Sequence, residues 1–476
     1  MAVKGGRVDF LAPHLLRSQL LRPGFVRLTL RMGIARHMPG WARLQFTNGG
    51  VSPRDLDQVL SRVTSLDSWV DEWESLAREH EQWARDALTL GKRGTAVRHF
   101  LAASAAYNFA QYVIFLDIAR KRALHDGCVR AYAQAAPLFD LPAQPFEVSF
   151  RRHRMQGYLR MPPGKRPAPV VVMFNGTNGV KEEMHWWGEA MLERGVAVIM
   201  FDGPGLGATW HRMSMVAEPR PVGVAILNQI EATPELDPDA VGFFGMSLGG
   251  YLAIRMATHD TRVRAVAAVS PPYSADVYWN VTLAALRREL AALYGVDERE
   301  MGASVDRITL AEVLPKLSCP LIVSGGGHDL ITPGTEAWRI FEDCRGPREL
   351  IYYPDGGHEC FNMLADLRPR MVGWLARQIE RHPAARPIEA PEERGARDGS
   401  WLAAEAVDAD FADALRGDAH RLVWNPVEGI NGNGAHGPAA TRSNGWRWPW
   451  ARTTPAGPRI VHRLAPAGAE SGPGRR

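Results

Sequence analysis

Between residues 144 and 384 the chain predicts an α/β protein: a mainly parallel, eight-stranded sheet, with a helical domain placed ahead of it. Three observations carry this. Short β-branched and aromatic runs alternate with helical stretches through that region. A serine stands in a glycine-flanked turn between one such run and a helix. Residues 52–140, in contrast, repeat apolar side chains at spacings of three and four.

Taken in order, residues 1–50 are a basic lead-in, with Lys4, Arg7, Arg17, Arg22, Arg27, Arg31, Arg36 and Arg43 against Asp9. Arginines break every apolar stretch, which fits a solvated segment better than a secretion signal or a membrane-surface helix. Residues 51–143 read as a helical cap domain: Leu66, Trp69, Trp73, Leu76, Ala77, His80, Trp83, Ala84, Ala87 and Leu88 line one helix face. Gly91-Lys92-Arg93-Gly94 interrupts it, and a long helix is predicted from Thr95 through Arg122. No fixed-period copies point to a repeat array. Phe146–Phe150 and Gln156–Met161 predict a hairpin, followed by strands ending at Phe174, Phe201, Phe244, Ser270, Ser324 and Tyr353. A helical insertion near 274–314 precedes the strand of Ser324 and is placed to form part of a lid. Residues 385–476 turn to Ala, Pro, Gly and Arg and are expected to be largely disordered, with an acidic helix conceivable at 401–416 and three alternating tryptophans, Trp446, Trp448 and Trp450.

The chemistry concentrates at Gly245-Met246-Ser247-Leu248-Gly249. The strand Ala240–Phe244 precedes it and the helix beginning at Gly250 follows, the context of a nucleophile elbow. A serine there needs a base and an orienting acid, which in the α/β-hydrolase fold follow in the order acid, histidine. Asp329 comes after the strand Pro320–Ser324 and its glycine turn, and His358 comes after the strand Glu349–Pro354. His358 would take the serine proton while Asp329 fixes its tautomer and stabilises the imidazolium. His328 and Asp355 are weaker rivals on the same two turns. The oxyanion hole is expected from the N–H groups of Leu248 and Thr177, the latter in the loop Asn175–Gly179 after the strand Pro169–Phe174. His185, Trp186, Trp187, Tyr278 and Trp279 are candidate pocket walls, with ordinary interdomain packing the equal alternative. Gly203-Pro204-Gly205-Leu206-Gly207-Ala208 imitates a dinucleotide fingerprint, but Pro219 and Pro221 follow where its helix should run, so it is read as a turn.

Composition limits the remaining classes. The 476 residues suffice for two or three domains, and 46% hydrophobic with 23% charged residues is ordinary for a globular protein. A net charge of +4 favours no polyanionic partner, so nucleic acid is not expected, and no apolar run is long enough to span a membrane. Cys128, Cys319, Cys344 and Cys360 form no metal or disulfide spacing and read as buried thiols of a reducing cytoplasm, with Cys360 near the site. Neither metal nor cofactor is expected; the partner is a small-molecule substrate, and a homodimer stays open.

Lys181-Glu182-Glu183, Asp202-Gly203-Pro204-Gly205, the elbow with Gly250-Tyr251, and Gly357-His358-Glu359-Cys360 together resemble one group of bacterial and fungal α/β-hydrolases. That group includes 2,6-dihydroxypseudooxynicotine hydrolase and the pigment-pathway polyketide-shortening hydrolases; fermentation-respiration switch-type esterases look more distant. The resemblance covers roughly residues 50–382 and implies a triad at Ser247, Asp329 and His358 under a helical cap. It implies hydrolysis of a carbon–carbon bond in an aromatic or polyketide-like ketone. Esterase, thioesterase or acyltransferase action is the alternative, and a non-catalytic binding protein the remaining one. The family often carries Gly-Gly-x-Asp-Ser where this chain has Asn175-Gly176-Thr177-Asn178-Gly179, which leaves the substrate open.

Overall fold

The computed structural model describes residues 28–380, apart from 29, 39, 115–116, 165, 259, 277–278 and 280–283, together with 459–463. The cap comprises α1 (Gly40–Asn48), α2 (Pro53–Arg62), α3 (Leu66–Thr89), α4 (Arg93–Gln111) and α5 (Ile118–Ala135). Ser52 and Ser65 cap α2 and α3 by accepting from the N–H groups of Asp55 and Ser68, which gives orphan amides a partner. Most of the apolar stripe of α3 turns inward: Trp73 is fully buried and stacks on Phe46 at 5.5 Å, with Phe109 of α4 at 5.4 Å, whereas Trp83 and Leu88 of the same expected face are exposed near the helix end.

The single helix expected over 95–122 is instead two. α4 ends at Gln111, and α5 restarts at Ile118 with Asp117 accepting from the N–H of Arg120. Aromatic and β-branched residues crowd the break, from Tyr112 to Ile114, where helix propensity is weak and a fresh cap is available.

The catalytic domain runs β1 (Ala143–Phe150), β2 (His153–Arg160), β3 (Ala168–Phe174), α6 (His185–Leu192), β4 (Ala197–Phe201), α7 (Arg220–Glu231), β5 (Leu236–Met246), α8 (Leu248–Ala257) and β6 (Val263–Val269). It continues with α9 (Ala284–Tyr294), α10 (Glu298–Ser304), β7 (Leu321–Gly326), α11 (Thr335–Asp343), β8 (Arg348–Tyr353) and α12 (Leu364–Glu380). Strand order is β1-β2-β4-β3-β5-β6-β7-β8, parallel from β4 to β8 and antiparallel at β1 and β2. Because helices cover both faces, alternate residues of one strand enter different cores: Val241 and Phe243 on one side, Phe244 and Met246 on the other. This is the α/β-hydrolase arrangement expected from the sequence.

A ninth strand, β9 (Arg459–Arg463), extends the predicted eight by pairing antiparallel with β8, from Tyr352 opposite Arg459 to Arg348 opposite Arg463. The alternation Arg-Ile-Val-His-Arg is too short to stand out within a Pro/Gly-rich tail. The conceivable helix at 401–416 and the three alternating tryptophans lie outside the described residues. No described helix is long and apolar enough to cross a membrane.

Beneath the catalytic face, the Lys181 ammonium lies 2.9 Å from both Asp202 and Glu182, with all three side chains buried. Asp202 also accepts the backbone N–H groups of Lys181 and Ala208. A Cβ added at Gly207, which has φ of +45°, would meet Asp202 Oδ1 at 2.1 Å. The glycine-rich stretch 203–208 is therefore a turn folded around a carboxylate, as its sequence context suggested. Removing one partner of such a cluster strands the others without a counter-charge. Lys181→Met should cost about 3–5 kcal/mol in urea unfolding; a loss under about 1 kcal/mol would show that the cluster is not a structural anchor.

Candidate active site

Ser247 joins β5 to α8 with φ 49° and ψ −123°, a left-handed conformation that non-glycine residues adopt at a cost. Its neighbours make the turn feasible. A Cβ at Gly245 would lie 2.2 Å from the carbonyl oxygen of Gly249, and one at Gly249 would lie 2.3 Å from that of Phe174. The N–H of Ser247 donates to Val269 O at 2.8 Å, pinning the elbow to β6. The strain thus has an identifiable support.

Asp329 follows β7. Its Oδ1 accepts the N–H groups of Ile331 and Thr332, both at 2.8 Å, which fixes the carboxylate before it meets the histidine. His358 Nδ1 then contacts Asp329 Oδ2 at 2.8 Å and Oδ1 at 3.0 Å. Ser247 and His358 face one cavity of about 310 Å³ between cap, sheet and insertion. Of the three residues expected from chain order, Asp329 pairs with His358, and His358 and Ser247 line the same cavity.

Neither the N–H of Leu248 nor that of Thr177 is engaged among the described residues, and both residues line the cavity. The neighbouring N–H of Gly176 is committed to Asn175 Oδ1 at 2.7 Å. The oxyanion loop is held from behind: Asn175 donates to Glu183 at 2.6 Å and to Val180 O at 3.0 Å, and Glu183 in turn accepts the hydroxyl of Tyr112. It is held from above by Asn178, which accepts from Lys121 of α5 at 2.8 Å and donates to Glu289 of α9 at 2.9 Å, while Lys121 and Glu289 pair at 2.6 Å. One loop is therefore tied to the cap and to the insertion at once.

The proposed aromatic walls fall elsewhere. Trp187 is buried in the core beneath α6, 4.6 Å from Phe244 and under the Arg368 guanidinium. Trp186 packs beside His185 and Gly50 at the cap junction, and Trp279 packs against Gly302 and Arg287. His185 is buried against Tyr132 and Phe139, where burial and the Arg160 charge pull its pKa down to about 3. Tyr278 lies outside the described residues. Cys360 is fully buried rather than in the cavity wall. For these residues packing, not substrate contact, accounts for the aromatic content.

The cavity wall consists instead of Tyr112 from the cap, Tyr251 from α8, Leu290 and Tyr294 from α9, and Ile308 and Ile331 from the catalytic-face loops. Tyr112 carries no motif that marks it. Glu183 in Lys181-Glu182-Glu183 and Glu359 in Gly357-His358-Glu359-Cys360 lie within motifs that give neither of them a role. Among the described residues no group of three or more His, Cys, Asp or Glu side chains is arranged to hold a metal ion.

Electrostatics bias the base. Burial pulls His358 down, but the Asp329 charge and hydrogen bond, with Glu359 assisting, outweigh it and hold the pKa at about 9. Burial pushes Glu183 up to about 7, against its hydrogen bond from Tyr112. Since the base must be neutral to accept a proton, kcat/KM on a non-titrating ester should rise with pH, reach half its maximum near pH 9 and level only above it. A plateau already reached in the ordinary imidazole range, about pH 6.5, would show that the carboxylates do not retain the proton. By linkage, the stability supplied by the charged pair is full below about pH 6.5 and fades as pH rises through 9.

Sheet topology, elbow and cap define an α/β-hydrolase, and comparison with known proteins agrees. Residues 34–283 match the model of the family described as "Esterase FrsA-like", and the chain belongs to that family. It is 29% identical over 343 residues to 2,6-dihydropseudooxynicotine hydrolase of Paenarthrobacter nicotinovorans, covering 71% of this chain and 91% of that one. It is 26% identical over 350 residues to the hydrolyase poxO of Penicillium oxalicum, covering 62% and 83% respectively. A crystal structure of 2,6-dihydroxy-pseudo-oxynicotine hydrolase superposes with a TM-score of 0.65 at 27% identity, covering 71% of this chain and 95% of that one.

Proposed function

We propose that the chain is a serine hydrolase in which Ser247 attacks a carbonyl, His358 accepts and returns its proton, and Asp329 orients the imidazole. The observation that supports this most directly is the strained Ser247 facing one cavity with a histidine held by a twice-anchored aspartate. Attack by Oγ converts the carbonyl into a tetrahedral oxyanion, and the free N–H groups of Leu248 and Thr177 are the donors available to receive it. Collapse expels the leaving group and leaves an acyl-serine, which water then hydrolyses with His358 acting again as base.

For substrate we favour a ketone with an aromatic or polyketide-like flank, cleaved at the bond beside its carbonyl. Three tyrosines and aliphatic side chains make the wall mostly apolar, and a volume of about 310 Å³ suits a compact molecule or part of a longer one. The bacterial relative is named as a hydrolase of a dihydropseudooxynicotine, which supports an aromatic flank. Ester, thioester or amide hydrolysis is the second reading, favoured by membership of an esterase family. Free, buried thiols at Cys128, Cys319, Cys344 and Cys360 support a cytoplasmic setting.

Product masses from β-diketones and from aryl esters test the choice: release of an acid and a methyl ketone from the diketone is the expected result, and turnover of esters alone would replace it with the second reading. Ser247→Ala and His358→Ala should each lower turnover on the order of 10⁴–10⁶-fold with the fold intact by circular dichroism. Near-wild-type turnover in Ser247→Ala would exclude the mechanism.

A further inference from the structure

The imidazole of His358 has a carboxyl on each side. Asp329 sits against Nδ1, and Glu359 Oε1 stands 4.0 Å from Nε2, the nitrogen that must serve Ser247. Glu359 lines the catalytic cavity, and its backbone is held at φ 53° with Cys360 at 50°, so the side chain turns inward at a conformational cost. A Cβ placed on Gly176 would lie 3.1 Å from Ser247 Cβ and 3.3 Å from Glu359 Oε1. Nucleophile and carboxyl therefore face each other across little more than a glycine.

The two carboxyls live in opposite environments. Asp329 receives two backbone N–H groups and the imidazole, whereas Glu359 accepts no hydrogen bond among the described residues. Burial pushes Glu359 above the ordinary carboxylate range, with the His358 charge opposing. Asp329 is thus committed to the imidazole and the backbone, and Glu359 is the carboxyl left open to the cavity.

We infer that Glu359 is the acid that delivers a proton to the leaving fragment. The inference rests on the carbon–carbon reading above. Ser247 Oγ passes its proton to His358 Nε2 and bonds to the ketone carbon, whose π pair moves to oxygen. As the oxyanion collapses, the carbon–carbon bond breaks and its electron pair leaves as an enolate. The proton on His358 Nε2 passes to the Glu359 carboxylate beside it, which delivers it to the enolate oxygen, and the resulting enol becomes a methyl ketone. His358 is left a neutral base for the water that releases the acid.

Glu359→Gln keeps the size of the side chain but removes the carboxyl that carries the proton. On 1-phenylbutane-1,3-dione the variant should lose about 10²-fold or more in kcat. On p-nitrophenyl acetate, whose phenolate leaves unaided, the loss in kcat should be at least about tenfold smaller than on the diketone. Fluorophosphonate labelling of Ser247 at the wild-type rate would confirm an intact nucleophile. Equal losses on both substrates would overturn the inference in favour of a packing role, and unchanged diketone cleavage would overturn it outright. If the wild type cleaves only esters, the carbon–carbon reading fails by itself. The acid role is then read from ethyl against p-nitrophenyl acetate: loss confined to the ethyl ester upholds it, and equal loss removes it.

Discussion

A single ammonium group underlies the catalytic face. Lys181 begins the turn after the oxyanion loop, and Asp202 ends the run out of β4, so the pair ties together two loops that the sheet alone would leave independent. Taking a lysine out of water is costly, and it is tolerable here because two carboxylates, a ring face of Tyr158 at 5.3 Å and backbone donors complete the cluster. Burial lowers the ammonium pKa, but Asp202 and Glu182 more than reverse this and keep it charged. With that anchor in place, Glu183, the third residue of the Lys-Glu-Glu run, is free to face the other way and grip Asn175.

Strain at the elbow is the second consequence of this anchoring. Ser247 can hold φ 49° only because glycines allow the backbones of β3, β5 and α8 to touch, and because the loop beyond β3 does not drift. The oxyanion loop depends on the anchor below and on Asn178 above. Free N–H groups at Thr177 and Leu248 stand beside loop donors that are committed, Gly176 to Asn175 Oδ1 and Gly179 to Gly176 O. The site is preorganised in the sense that its open donors face the cavity and its closed ones hold the frame.

Much of this was legible along the chain, and for physical reasons. Strands buried on both faces write themselves as uninterrupted Val-Ile-Phe runs, and an elbow demands glycines at fixed offsets, so β3 to β8 and Ser247, Asp329 and His358 could be read in order. The cavity wall could not. Trp187 and Tyr112 look alike as aromatic residues near apolar neighbours, yet one faces the sheet core and the other the substrate space. That difference depends on how α4 ends and on the rotation of α6, which periodicity does not record. The division of the expected long helix at Tyr112 is itself what delivers a tyrosine to the cavity. Strand β9 was missed for a simpler reason: five residues carry a β pattern too short to rise above their surroundings.

Selection of substrate then follows from who owns the walls. The triad and its donors belong to the sheet, but Tyr112 comes from the cap and Leu290 and Tyr294 from the insertion, on the same helix as Glu289. Because Lys121, Glu289 and Asn178 join in one polar knot, the elements that shape the cavity are mechanically the ones that steady the oxyanion loop. A change of cap sequence that admits a different substrate must preserve this knot or loosen the loop beneath it. Cap and catalytic domain are thus not an enzyme with a lid added. Shape and chemistry are coupled through a loop only five residues long, Asn175 to Gly179. Asn178 in that loop supplies both the acceptor and the donor of the knot, so a single side chain joins the cap to the insertion.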